Sequence, residues 1–147
     1  MRLIEQLERL TGRKVVLMEN TNNFFAVVGI VMKPGFVLMG QAIDTGDDRT
    51  GWLCFPGGGR DGKESVNRAV KREVREETNL LVQPTESIIE DLNKPGVIFV
   101  ICNYINGVIQ HNSEFKNMSW YDINDLPWER IYPQNKELLE NLLSTYI

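Results

Sequence analysis

GGRDGKESVNRAVKREVREETNL, residues 58–80, is the stretch on which the fold turns. Ser65 places a hydroxyl just ahead of a periodic run and Asn79 follows it, which predicts a helix capped by Ser65 and lasting to about Thr78. At about 100° per residue, Val66, Ala69, Val70 and Val74 share one apolar arc. Glu73 and Glu77 point along that same arc and Glu76 borders it, while Arg68, Lys71 and Arg75 take the opposite, solvent side. Burying ionised carboxylates costs several kcal/mol each unless a cation neutralises them. Oxygen ligands at i, i+3 and i+4 can converge on Mg²⁺ or another hard divalent ion. Ion pairs with arginines are the competing reading, and the helix alone leaves both standing. Before the helix, Gly57, Gly58, Gly59 and Gly62 allow the backbone to take positive φ and to approach a ligand closely; a flexible strand-to-helix connection is the plainer alternative.

Upstream of this segment the period changes to that of strands. Asn23 to Met32, Phe36 to Ile43 and the short Trp52 to Phe55 are rich in Val, Ile, Leu and Phe and broken by Pro34-Gly35 and by the polar loop DTGDDRTG at 44–51. Lys14 to Met18 reads as a further strand, preceded by a short amphipathic helix built on Leu3, Ile4, Leu7 and Leu10. Downstream, Ser87 to Leu92 and Val97 to Ile105 read as strands around a Pro95-Gly96 turn. Asn106-Gly107 predicts a hairpin leading into Val108 to Gln110, and Met118 to Tyr121 gives one more strand. A last helix from about Gln134 is apolar at Leu138, Leu139, Leu142 and Leu143. The order of elements predicts an α/β (α+β) sandwich with a mixed β-sheet, formed by residues 1–147 as a single domain.

Composition narrows the function classes. Sixteen basic against 20 acidic residues give a net charge of -4. That balance argues against general nucleic-acid binding, which needs clustered Lys and Arg. The N-terminal residues carry charge within the first ten positions and no run reaches about 18 apolar residues, so the expectation is a cytoplasmic protein with no membrane partner. Cys54 and Cys102 lie in strand-like runs and read as buried, unpaired thiols. His111 is the only histidine, which excludes a histidine-based metal cluster. Trp52, Trp120 and Trp128 read as core or rim aromatics.

Gly58, Glu64, Arg72, Glu73, Val74, Glu76, Glu77 and Leu80 resemble the Nudix box, G-x5-E-x7-R-E-U-x-E-E-x-G-U with U aliphatic, with every spacing kept over its 23 residues. The one departure is Asn79 where the family has Gly, a position just past the helix where Asn is the next most tolerant residue in a left-handed conformation. WLCFPGG, residues 52–58, is similar to the family's aromatic and Pro-Gly-Gly lead-in. The resemblance implies the family's α/β/α sandwich and hydrolysis of a nucleoside diphosphate linked to another group, with bound Mg²⁺ or Mn²⁺ and an attacking water. It implies Glu73, Glu76 and Glu77 as metal ligands with the Gly57 carbonyl, Arg72 and Glu64 as residues that orient the acidic cluster, and Gly58 and Gly59 as substrate-binding backbone.

The C-terminal half resembles the MutT branch of that family, which converts nucleoside triphosphates, oxidised guanine nucleotides included, to monophosphates. Glu114, six residues before Trp120, matches that branch's acidic metal ligand or base, and Tyr132-Pro133-Gln134-Asn135 is similar to its Pro-x-Asn element, in which the Asn reads a purine edge. Asn135 also reads simply as a first-turn residue of the last helix. Gly40-Gln41 stands where relatives often carry a phosphate-binding Arg, leaving Arg49 or Arg60 as substitutes. The expected function is therefore a Mg²⁺-dependent nucleoside triphosphate pyrophosphohydrolase acting on 8-oxo-dGTP or a related purine nucleotide. An ADP-ribose, dinucleoside polyphosphate or nucleotide-sugar hydrolase is the enzymatic alternative, and a non-catalytic nucleotide-sensing module is the alternative from another class. The expected partner is a small molecule, and a homodimer stays open.

Overall fold

β1 (Ala26–Lys33) alternates its side chains between two apolar layers, and the rest of the fold is arranged around it. The computed structural model describes residues 23–43, 45–90, 95–110 and 115–146. The expected helix over residues 3–10 and the strand over 14–18 lie outside the described residues, as do His111 and Glu114. After β1 come β2 (Phe36–Ala42), β3 (Leu53–Cys54), β4 (Gly57–Gly59), α1 (Val66–Thr78), β5 (Leu81–Glu90), β6 (Val97–Asn106), β7 (Phe115–Asp122), a turn of 3-10 helix at Trp128–Arg130, and α2 (Pro133–Tyr146).

The described strands form one seven-stranded mixed sheet in the order β3-β2-β1-β6-β5, with β4 also on β1 and β7 also on β2. β1 and β6 run parallel from Ala26↔Val97 to Met32↔Asn103. On its other side β1 is shared: Met32 and Lys33 pair with β2, whereas Ala26, Val27 and Val28 pair with the glycines of β4. The two strands therefore splay apart and the glycine segment enters the gap. On one face, Ile30, Met39, Phe99 and Ile101 pack with Leu138, Leu139, Leu142 and Leu143 of α2. On the other, Val27, Val31, Leu38 and Val100 pack with Val66, Ala69, Val70 and Val74 of α1. Helices thus cover both faces, the expected sandwich. Approach is tight at Gly29, where an added Cβ would lie 2.9 Å from Val74 Cγ2. No helix among the described residues is long and apolar enough to cross a membrane.

Three sequence expectations are corrected. The glycines at 57–59 form a short strand on β1 rather than a free loop; a residue type without side chains carries no alternation from which pairing could be read. β5 begins at Leu81, six residues before the expected start at Ser87, and its register on β6 shifts between Pro84 and Ile88 because a proline cannot donate to the ladder. Asn106-Gly107 makes no hairpin. Instead the Gln110 N–H donates to the Thr78 carbonyl at 3.1 Å and Asn79 Nδ2 to the Val108 carbonyl at 3.2 Å, so residues 108–110 satisfy the open end of α1.

Both expected caps of α1 are present. The Ser65 hydroxyl accepts from the Arg68 N–H at 3.2 Å, and Asn79 is left-handed at φ 65°, ψ 15°, with its N–H on the Arg75 carbonyl at 2.8 Å. Asn79→Gly is expected to change stability by less than about 0.5 kcal/mol, since relief of the positive φ offsets loss of one exposed amide contact, whereas Asn79→Val costs about 1–2 kcal/mol. Thermal melts of both variants check this; equal melting temperatures would contradict it.

Candidate functional site

Arg72, half-way along α1, organises the acidic residues around itself. Its Nε donates to Glu64 Oε2 and its Nη2 to Glu64 Oε1, both at 2.8 Å, a two-pronged pairing that also fixes the plane of the guanidinium. Nη2 reaches the Gly59 carbonyl at 2.8 Å, and Nη1 donates to Glu73 Oε1 at 2.8 Å and to Glu76 Oε2 at 3.2 Å. Glu64 closes the loop ahead of the helix by accepting the Asp61 N–H at 2.8 Å. The hydrogen bonds from Arg72 hold the Glu64 carboxyl down at about 2. Glu64 and Arg72 are therefore a bidentate pair tied into the glycine strand, not a loose surface contact.

Glu73 and Glu77 are buried and Glu76 is exposed, as the helical arc predicts. Burial pushes the Glu73 carboxyl up, against the opposing pull of Arg72. Glu77, one turn further along the helix, is buried beside it, and two carboxylates buried on one helix face favour a cation or a proton between them. Glu77 Oε2 accepts the Gly57 N–H at 3.0 Å, which fastens β4 to α1. At Gly58 an added Cβ would lie 2.6 Å from the Glu73 carboxyl carbon, so the absent side chain is what gives that carboxylate its room.

These groups suit a hard divalent cation by chemistry: Glu73, Glu76, Glu77 and the Gly57 carbonyl offer oxygen donors alone. Among the described residues no three His, Cys, Asp or Glu side chains are already drawn together as a ligand group. The Arg72 guanidinium draws Glu76 and one oxygen of Glu73 to itself. The two readings of the helix, metal ligands or arginine ion pairs, thus share Glu73 and Glu76.

Beside β4 lies a cavity of about 500 Å³. Gly57, Gly58 and Gly59 line it, as do Asn135, Arg49 and Tyr132. Asn135 is only 6% exposed, held in the first turn of α2 with its N–H on the Tyr132 carbonyl at 2.9 Å. Of the two arginines considered as substitutes, Arg49 lines the cavity and Arg60 does not. Arg60 lies 4.2 Å over the Phe24 ring with its Nε on the Glu64 carbonyl at 2.8 Å. Cys54 and Cys102 are buried free thiols, each pushed up to about 12 by burial. Trp120 sits edge-on to Tyr104, with ring centroids 5.3 Å apart, and no Trp is among the described residues lining the cavity. Sequence reasoning missed Asp47 and the apolar lining from Phe25 and Phe99.

Residues 23–142 match the family model of the NUDIX domain. Over 106 residues the chain is 28% identical to the uncharacterised Nudix hydrolase YvcI of Bacillus subtilis, an alignment covering 65% of this chain and 66% of that protein, about two thirds of its length. Its fold is similar to that of an ADP-ribose pyrophosphatase from Streptococcus suis, with TM-score 0.64 and 28% identity over 82% of this chain and 90% of the other. It is also similar to that of a MutT protein from Methanosarcina mazei, with TM-score 0.67 and 21% identity over 85% and 96%.

Proposed function

The chain belongs to the Nudix hydrolase family, and from that premise we propose that it is a Mg²⁺-dependent pyrophosphohydrolase cleaving a purine nucleoside triphosphate to the monophosphate and pyrophosphate. The observation that carries this reading is the position of Asn135, a buried residue lining a cavity that is also lined by the glycine strand fastened to the acidic helix. An amide both donates and accepts, as a group reading a purine edge must.

Glu73, Glu76 and Glu77 with the Gly57 carbonyl would hold the divalent ion, with Glu114 as a further ligand. Mg²⁺ or Mn²⁺ there supplies neutralisation of phosphate charge and polarisation of a reacting oxygen. The chain's own residues do the rest. Arg72 and Glu64 keep the acidic side chains and β4 in one frame, and the Gly58 and Gly59 backbone lets phosphate approach without obstruction by side chains. Water adds to phosphorus, the anhydride P–O bond breaks, and a carboxylate of the acidic cluster takes the proton.

An ADP-ribose hydrolase is the second reading, favoured by the 28% identity to the Streptococcus suis ADP-ribose pyrophosphatase. Phosphate and pyrophosphate release from a nucleotide panel with Mg²⁺, with and without chelator, tests both. Release from no substrate would instead support a non-catalytic module. Asn135→Ala is expected to lower kcat/KM for the preferred purine nucleotide by roughly 5-fold to 150-fold, the cost of about 1–3 kcal/mol for truncating a buried contact. A pyrimidine nucleotide should lose least. A uniform fall for 8-oxo-dGTP, dGTP and dCTP would assign Asn135 a structural role at the helix start.

A further inference from the structure

We propose that Asp47 and Arg49 act with Asn135 as the group that recognises the base of the substrate, so that Arg49 is a specificity residue and not a phosphate-binding cation. This rests on the nucleotide-hydrolase reading above.

Charge balance is the first ground. Among the described residues lining the cavity, Arg49 is the only Lys or Arg, and Asp47 lines the cavity beside it. The Asp47 carboxylate accepts from Arg49 Nε at 3.0 and 3.1 Å and pairs with Nη2 at 3.0 Å. The pair is therefore neutral, and a neutral pair offers a phosphate little net attraction. It does offer a heterocycle a carboxylate acceptor beside guanidinium donors, complementary to the mixed edge of a nucleobase.

Rigidity is the second ground. Arg49 N–H donates to Asp47 Oδ1 at 2.9 Å, the Thr45 and Thr50 hydroxyls share a hydrogen bond at 2.8 Å, and the Trp52 N–H donates to the Arg49 carbonyl at 3.0 Å. Tyr132 then donates its hydroxyl to Asp48 Oδ1 at 2.9 Å, joining this loop to the turn that carries Asn135. Acceptor, donor and amide are thus held in one fixed frame, the preorganisation that selective recognition needs. The third ground is the apolar lining: Ala26 pairs with Val97 and Val28 with Phe99, and all four border the cavity. A planar ring can lie on that surface, whereas a phosphate there would lose its hydration without return.

The test is the base ranking of Arg49→Lys, Arg49→Gln and Asp47→Asn against wild type, as kcat/KM on dATP, dGTP, dCTP, dTTP, ADP-ribose and UDP-glucose, with melting temperatures alongside. Lysine keeps the charge and loses the planar fork. The expected result is that the ratio between the best and worst substrate falls at least about 5-fold in Arg49→Lys and in Asp47→Asn. An equal loss on every substrate in Arg49→Gln, restored by Arg49→Lys, would overturn the proposal and make Arg49 a phosphate cation. An unchanged ranking in folded variants would overturn it as well, leaving the loop a framework only. A wild-type protein that cleaves none of these compounds with Mg²⁺ would instead remove the hydrolase reading, an outcome distinct from either.

Discussion

Glu77→Gln is expected to lower turnover by about 10²-fold or more with Mg²⁺ while leaving the fold intact. The amide oxygen of glutamine still accepts the Gly57 N–H that Glu77 Oε2 receives at 3.0 Å, so the attachment of β4 to α1 survives and only the charge goes. Without metal the variant should be as stable as wild type or more so, because a buried carboxylate on the same helix face as buried Glu73 has been neutralised. Metal gives a second readout. A divalent ion at 100 times its dissociation constant stabilises the folded protein by about 2.7 kcal/mol, and that gain in melting temperature should shrink in the variant. Wild-type turnover together with a wild-type response to Mg²⁺ would remove Glu77 from the proposed site.

The second large effect is on stability and comes from a methyl group. A Cβ added at Gly57 would press into the Val27 carbonyl oxygen and lie 2.8 Å from Val28 Cα, both of them backbone atoms of the central strand. Backbone there cannot yield without breaking the pairing of Val28 with Gly57. Gly57→Ala is therefore expected to cost about 3 kcal/mol, at the upper end of overpacking, which lowers the melting temperature by roughly 6–12 °C. Gly59→Ala is the control, since its Cβ would meet nothing closer than the Phe25 carbonyl oxygen at 3.9 Å. Equal melting temperatures for the two variants would show that β4 is not seated on β1 as described.

How much of this was legible in the sequence depends on where each interaction is made. α1 was readable end to end because its determinants are local: the cap at Ser65, the left-handed residue at Asn79, and an apolar arc that carries Glu73 and Glu77 inward. The hairpin at Asn106-Gly107 failed because a local turn preference lost to distant partners, the Thr78 carbonyl and the Asn79 amide, which claim residues 108–110. Among the site residues, Asn135 and the acidic helix came from spacing and resemblance. Asp47 did not, because its loop joins the site through Asp48 and Tyr132, 84 residues apart, a contact that no periodicity announces.

The parallel pairing of β1 with β6 has a consequence for the order in which the molecule is built. Ala26 must meet Val97, a partner 71 residues later in the chain, before the middle of the sheet exists. Closing so long a loop is a slow step in folding. A ribosome that has delivered β1, β4 and α1 has supplied the acidic helix and the glycine strand, yet β1 still lacks the neighbour along its other side. Maturation of the site waits for synthesis of β6, and chains interrupted before residue 97 expose the apolar edge of β1 to whatever quality control they meet.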